Sequence, residues 1–108
     1  DTVADNGSSA RIVLGGVLTF LHAIDLRTVG MVMEKNGEVL ATAAGAAVLG
    51  HPAQAVAWLA NKLAAYGIML HRGEVILSGA LTAAAPVAAG DFFRADFGPL
   101  GDVKIKFR

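Results

Sequence analysis

Residues 29–42 read Val-Gly-Met-Val-Met-Glu, then Lys35-Asn36-Gly37, then Glu-Val-Leu-Ala-Thr. Asn-Gly is the dipeptide that most readily takes two consecutive positive φ angles, so it predicts a tight hairpin between arms at Val29–Glu34 and Glu38–Thr42. Val29, Met31 and Met33 alternate with Gly30, Val32 and Glu34, which predicts one well-buried face and one mixed face. Two strands alone are marginal in water, so the hairpin should belong to a larger sheet.

The small residues of Gly45–Gly50 form a loop that ends at Pro52, a residue suited to the first position of a helix because its missing N–H would be unpaired there anyway. The spacing predicts a helix from 52 to about Tyr66, with Gly67 as its left-handed cap. Val56, Leu59, Ala60 and Leu63 form the inward stripe, while Gln54, Trp58, Asn61, Lys62 and Ala65 share another face. Strands are further expected at Arg11–Gly16, Val75–Leu77 with Glu74 opening it, Asp91–Phe97 and Val103–Phe107. Val17–Asp25 suits either a helical turn or a packed loop. These elements give an α+β chain of mostly antiparallel or mixed strands, arranged as a β roll or sandwich with one main helix. With no internal repeat or linker, residues 1–108 are expected to form a single domain.

Composition narrows the classes of function. Nine basic residues balance nine acidic ones, so no net field draws the chain to nucleic acid or to an anionic membrane. No apolar run approaches the roughly 20 residues of a membrane span. The absence of cysteine excludes disulfides and thiolate metal sites and fits a reducing cytoplasm. The first residues carry neither the basic start nor the apolar run of a signal peptide, and a chain that opens at Asp1 is expected to be the interior of a longer protein.

Several motifs occur together: Asp1-Thr-Val-Ala-Asp-Asn6, Gly45-Ala-Ala-Val-Leu-Gly-His-Pro52, Ala57-Trp-Leu-Ala-Asn61, Gly73-Glu-Val-Ile-Leu-Ser-Gly79, Pro86-Val-Ala-Ala-Gly-Asp91 and Gly98-Pro-Leu-Gly101. In this order and spacing the chain resembles the 2-keto-4-pentenoate hydratases and 4-oxalocrotonate decarboxylases of the fumarylacetoacetate hydrolase superfamily, over almost its whole length. The resemblance implies the fold of that superfamily and a lyase of aromatic or steroid catabolism acting on short 2-hydroxy-dienoates. It implies a divalent cation, Mg²⁺ or Mn²⁺, chelated by the carboxylate and 2-oxo groups of a 2-keto acid, where it stabilises enolate-like charge. Water addition is the expected outcome. Asp25-Leu-Arg-Thr28 and Met33-Glu-Lys-Asn-Gly37 are also at home among the decarboxylases, so loss of carbon dioxide is the alternative.

In that family the acidic metal ligands and a catalytic lysine precede the Asp-Thr-Val-Ala-Asp-Asn motif, so no metal ligand is assigned to this chain. The only glutamates are Glu34, Glu38 and Glu74, which are not spaced to converge on a hard cation. A second reading is therefore a non-catalytic subunit that completes a site with a partner.

The resemblance makes Ser8 the leading catalytic candidate, close to a bound keto acid, with Asp5 and Asn6 orienting its loop. An ordinary polar turn explains those residues too. Ser78-Gly79-Ala80-Leu81-Thr82 lies where the superfamily places a Thr-Gly-Thr-Pro loop against substrate. Gly79 would allow close backbone approach, Leu81 would give an apolar wall, and Thr82 would offer a hydroxyl. A strand-ending turn accounts for the glycine equally well. His51 precedes Pro52 and is expected to cap the helix or pack at its entrance rather than catalyse. His22 and His71 are read as lacking a carboxylate at useful spacing. The methionines are read as core filling. Trp58 is either an interface anchor or part of a second packing layer, with homo-oligomers or pairing with the missing amino-terminal part as the expected assembly.

Overall fold

The computed structural model describes residues 9–108, and four strands form its one sheet. β1 (Gly30–Lys35) and β2 (Glu38–Ala44) form the expected hairpin, β3 (Phe92–Asp96) lies on the other side of β1, and β4 (Asp102–Lys106) is the far edge. Every neighbouring pair is antiparallel, in the order β2-β1-β3-β4. The single α-helix among the described residues, α1, spans Pro52–Ala64, so the α+β reading with one main helix holds.

The hairpin turn is set by Asn36 at φ 53° and Gly37 at φ 84°. Asn36 also ties the turn to β3. Its backbone N–H donates to the Phe92 carbonyl at 2.7 Å, and the Phe92 N–H donates back to its Oδ1 at 2.8 Å. Its Nδ2 donates to Asp91 at 3.0 Å. That bond, followed by the Ala88 N–H and then Lys35, holds the Asp91 carboxyl below its ordinary value of 3.8. One residue thus serves both a local turn and the long-range pairing of β1 with β3.

Strand register sorts the side chains. Met33 lies opposite Ala95, and Ala95 opposite Val103, so these share a face with Met31, Phe93 and Ile105. Phe93 packs edge-on to Phe107 at 5.7 Å. The opposite face carries Arg94, which donates to Asp102 at 2.8 Å and Asp96 at 3.2 Å and lies 3.8 Å from Glu34. Arg94 chiefly holds the Asp102 carboxyl below its usual range, with Lys104 assisting. These groups are partly solvated, and such pairs add little to stability.

His51 caps α1, accepting the Ala53 N–H on Nδ1 at 3.0 Å. At the other end, Gly67 takes φ 71° and its N–H donates to the Ala64 carbonyl, while the Ile68 N–H donates to that of Leu63. Val56, Leu59, Ala60 and Leu63 are half-buried, and Gln54, Trp58, Asn61, Lys62 and Ala65 are exposed, as the periodicity predicts. Residues 21–23 make a single 3-10 turn, which resolves the open segment before β1.

Two expected strands do not form. Arg11–Gly16 and Val75–Leu77 are irregular and make no backbone–backbone hydrogen bond among the described residues, although Gly15 lies against Asp102 and Val103 of β4. Glu74 therefore does not open a strand. It closes a turn, accepting the His71 N–H at 2.8 Å, with the His71 Nδ1 3.4 Å from its carboxylate. His71 accordingly does have a carboxylate partner, three residues ahead. The backbone bond from His71 is the main reason that the Glu74 carboxyl titrates below its ordinary value.

Candidate functional site

The methionine face of the sheet forms the floor of a cavity of about 450 Å³. Met31 and Met33 from β1, Ala95 from β3 and Phe97 just beyond it line one side. Leu26, Val29, Gly45, Val48 and Pro52 line a second. The third is the segment Ser78–Thr82, which crosses over the sheet without joining it.

Local structure explains how these walls are held. A 3-10 turn at Gly45–Ala47 follows β2 directly. The Gly45 N–H donates to the Val29 carbonyl at 2.9 Å and the Ala46 N–H to that of Arg27 at 2.8 Å, which binds the turn to residues 26–29. A Cβ at Gly45 would run into the Leu26 carbonyl oxygen, so only glycine permits this approach. The turn buries Val48 against the cavity, where it is 6% exposed. Gly79 has φ 122° and faces Val48, since a Cβ there would lie 3.7 Å from Val48 Cγ1.

The lining is almost wholly apolar. Its side-chain polar groups are the hydroxyls of Ser78 and Thr82, and it includes no Lys, Arg, His, Asp or Glu. Such a cavity suits a short hydrocarbon chain with hydroxyls near one wall. It is a poor seat for a second carboxylate, whose transfer out of water demands a partner.

Of the site residues that the sequence singles out, Gly79, Leu81 and Thr82 come together in this cavity. Ser8, Asp5 and Asn6 lie outside the described residues. Core filling describes the methionines incompletely: Met69 is 72% exposed and fills no core, and the two hairpin methionines do more than fill it. Met31 is buried at 3% exposure, yet with Met33 it also lines the cavity. Period-two spacing places both on one face, but which loop covers that face is a long-range fact. Ser78, which stands in the sequence only as the first residue of the Ser-Gly-Ala-Leu-Thr motif, lines the same wall as Thr82.

The acidic groups of the described residues do not converge on a cation site. Asp91 is engaged by Asn36 and Lys35, Asp96 and Asp102 by Arg94, and Glu74 by His71. Among the described residues no three His, Asp or Glu side chains converge as a metal would require. Likewise, none of the described helices is long and apolar enough to cross a membrane.

Known proteins are similar to this chain in fold and sequence. The family model described as fumarylacetoacetate (FAA) hydrolase C-terminal matches residues 1–108. A 4-oxalocrotonate decarboxylase of Pseudomonas sp. (strain CF600) is 51% identical over 105 residues, covering 97% of this chain and 40% of that protein. A 2-hydroxyhexa-2,4-dienoate hydratase of Comamonas testosteroni is 49% identical over 107 residues, covering 99% of this chain and 40% of its own length. The solved 4-oxalocrotonate decarboxylase of Pseudomonas putida G7 superposes with a TM-score of 0.92 at 51% identity, over 99% of this chain and 41% of that one. That enzyme has been solved with calcium and acetate and with magnesium and adipate. The chain thus spans about 40% of the length of the curated relatives that it matches.

Proposed function

Because the chain belongs to the fumarylacetoacetate hydrolase C-terminal family, we propose that it is the part of a 2-keto-4-pentenoate hydratase-type lyase that shapes the pocket for the substrate's hydrocarbon end. The observation that carries the choice of substrate is the apolar cavity of Met31, Met33, Val48, Leu81 and Phe97. A five- or six-carbon dienoate with one carboxylate leaves an uncharged tail to fill that space. 4-Oxalocrotonate is a dicarboxylate, and its far end would meet no cationic side chain of this lining.

The described residues do not fit the divalent cation, so its ligands are assigned to the remainder of a complete enzyme. The role of this chain is to bind and orient. The walls exclude water from the tail, and the Ser78 and Thr82 hydroxyls are available to hydrogen-bond a polar atom of the substrate. By the family resemblance Ser8 is proposed to act on the keto-acid end, with Asp5 and Asn6 orienting its loop. A cysteine-free chain of this kind fits a cytoplasmic enzyme.

Product analysis tests the proposal. In the assembled enzyme, 2-hydroxypenta-2,4-dienoate is expected to give the water adduct, a 4-hydroxy-2-keto acid, with kcat/KM at least tenfold above that for 4-oxalocrotonate. Rapid release of carbon dioxide from 4-oxalocrotonate, with little hydration of the pentadienoate, would reverse the assignment to the decarboxylase.

A further inference from the structure

The hairpin turn places two residues side by side whose chemistry reaches beyond the fold. An asparagine followed by glycine is open to deamidation, because a residue without a side chain leaves its backbone nitrogen free to approach the preceding amide carbon. At Asn36-Gly37 the Gly37 nitrogen would attack Cγ of Asn36 and lose its proton, Nδ2 would leave as ammonia, and a cyclic imide would form. Water then opens that ring at either carbonyl, giving aspartate or its β-linked isomer. The net change is the hydrolysis of an amide, in which water enters and ammonia leaves, and it consumes no oxidant or cofactor.

Water has ready access to this turn. Asn36 and Gly37 are exposed, and a Cβ on Gly37 would meet no atom of the described residues within 4 Å. The amide that must react is nevertheless held at both ends by residues 91 and 92. The Phe92 N–H donates to its Oδ1 at 2.8 Å, and its Nδ2 donates to Asp91 Oδ1 at 3.0 Å. The Asn36 backbone N–H is engaged as well, on the Phe92 carbonyl at 2.7 Å. Asp91 is fixed in turn, accepting the Ala88 N–H at 2.9 Å and lying 3.5 Å from the Lys35 ammonium. Turning Cγ onto the Gly37 nitrogen breaks the side-chain bonds, so the contacts that join the turn to β3 also restrain the reaction.

We infer that Asn36 is a deamidation site gated by the β1–β3 junction: the closed junction withholds the amide from Gly37, and each opening exposes it to a one-way change that keeps the junction open. The products account for the irreversibility. Aspartate would set a carboxylate oxygen where Nδ2 now donates to Asp91 at 3.0 Å, and like charges at that separation repel. Lys35 would then face two carboxylates in place of one. The β-linked isomer adds a carbon to the backbone of a turn that fits at φ 53° and φ 84°, which displaces Lys35 from its pairing with Glu38 on β2 and Phe93 on β3. The same strand pair carries Met31, Met33 and Ala95 to the cavity, so its loosening disturbs that floor. This holds whichever reaction the enzyme performs.

Peptide mapping by mass spectrometry tests the inference on the assembled enzyme, held folded and held unfolded in urea at one pH and temperature. Asn36 is expected to deamidate about 100-fold more slowly in the folded enzyme, the factor that three ordinary hydrogen bonds supply. In urea it is expected to react at the rate of Asn6, which also precedes a glycine. Asp91→Ala removes the acceptor of Nδ2 and is expected to raise the folded rate about tenfold. Asn36→Asp reproduces one product, and amide exchange at positions 36 and 92 is expected to quicken about tenfold in it. If that variant does not fold, wild-type enzyme aged in buffer and separated into compact and loosened fractions gives the same reading, with the deamidated peptide expected in the loosened one. Equal rates in the folded and unfolded enzyme, or an unchanged rate in Asp91→Ala, would overturn the gating. An Asn36 that stays intact in urea while Asn6 reacts would overturn the site. Exchange at 36 and 92 as slow in the deamidated enzyme as in the intact one would overturn the one-way step, as would deamidated peptide shared equally between the two fractions.

Discussion

Gly45→Ala is expected to lower the melting temperature of the assembled protein by roughly 10 °C, the largest effect of any single methyl group in the described fold. Gly45 is buried, and the added Cβ would collide with the Leu26 carbonyl oxygen and lie 2.8 Å from its carbon. Both atoms belong to the backbone, so no side chain can rotate to relieve the contact. Moving the turn away would break the bonds from Gly45 to Val29 and from Ala46 to Arg27. Overpacking of this kind costs about 3 kcal/mol. It would also shift Val48, which couples the loss of stability to the shape of the cavity. Thermal unfolding followed by circular dichroism is the direct check, and a change under 3 °C would mean that residues 26–29 yield far more easily than their hydrogen bonds imply.

Leu81→Lys is expected to reduce kcat/KM for 2-hydroxypenta-2,4-dienoate by about 10- to 100-fold in the assembled enzyme, the range in which one misfitted group in an apolar pocket acts. The substitution places an ammonium group in a lining that otherwise carries no charge. The hydrocarbon tail would then lose apolar contact, while a dicarboxylate would gain a partner for its far end. The ratio of rates on 4-oxalocrotonate and the pentadienoate should therefore rise, even as activity on the latter falls. Thr82→Val removes one hydroxyl without altering the wall and is expected to cost no more than about tenfold, the scale of one hydrogen bond. Equal losses on both substrates from Leu81→Lys would show that this wall does not contact the tail.

The parts of this fold that are legible in the sequence are those in which local chemistry decides the outcome. Asn36-Gly37 determines a hairpin whatever surrounds it, and Pro52 with Gly67 bounds a helix whose covered face follows from its spacing. His51 is legible as a cap, because a residue held extended before proline lies at the right place to accept the Ala53 N–H. Anything that depends on a neighbour distant in sequence is not legible. Ile12-Val13-Leu14 and Val75-Ile76-Leu77 have the composition of strands, but a strand exists only with a hydrogen-bonded partner, and neither segment has one among the described residues. The carboxylate partner of His71 is hidden for the opposite reason. Glu74 is local, but the turn that brings it back to His71 has, in the sequence, the pattern of a strand's start.

The same distinction separates the halves of the candidate site. Gly79, Leu81 and Thr82 stand out through a family motif and do lie in one cavity. The floor beneath them, Met31, Met33 and Phe97, is visible in the sequence only as a stripe with no assigned cover. Period-two spacing identifies a face and stays silent on what packs against it.

On the proposed division of labour, this chain forms the wall of a keto-acid site while the cation is gripped elsewhere. Calorimetric titration of Mg²⁺ into the chain alone and into a complex of it with the amino-terminal part of the Pseudomonas sp. (strain CF600) decarboxylase, each assayed for dienoate turnover, tests that division most directly. The expected result is submillimolar binding and EDTA-sensitive turnover in the complex, with neither in the isolated chain. Submillimolar Mg²⁺ binding with metal-dependent turnover by these 108 residues alone would contradict it.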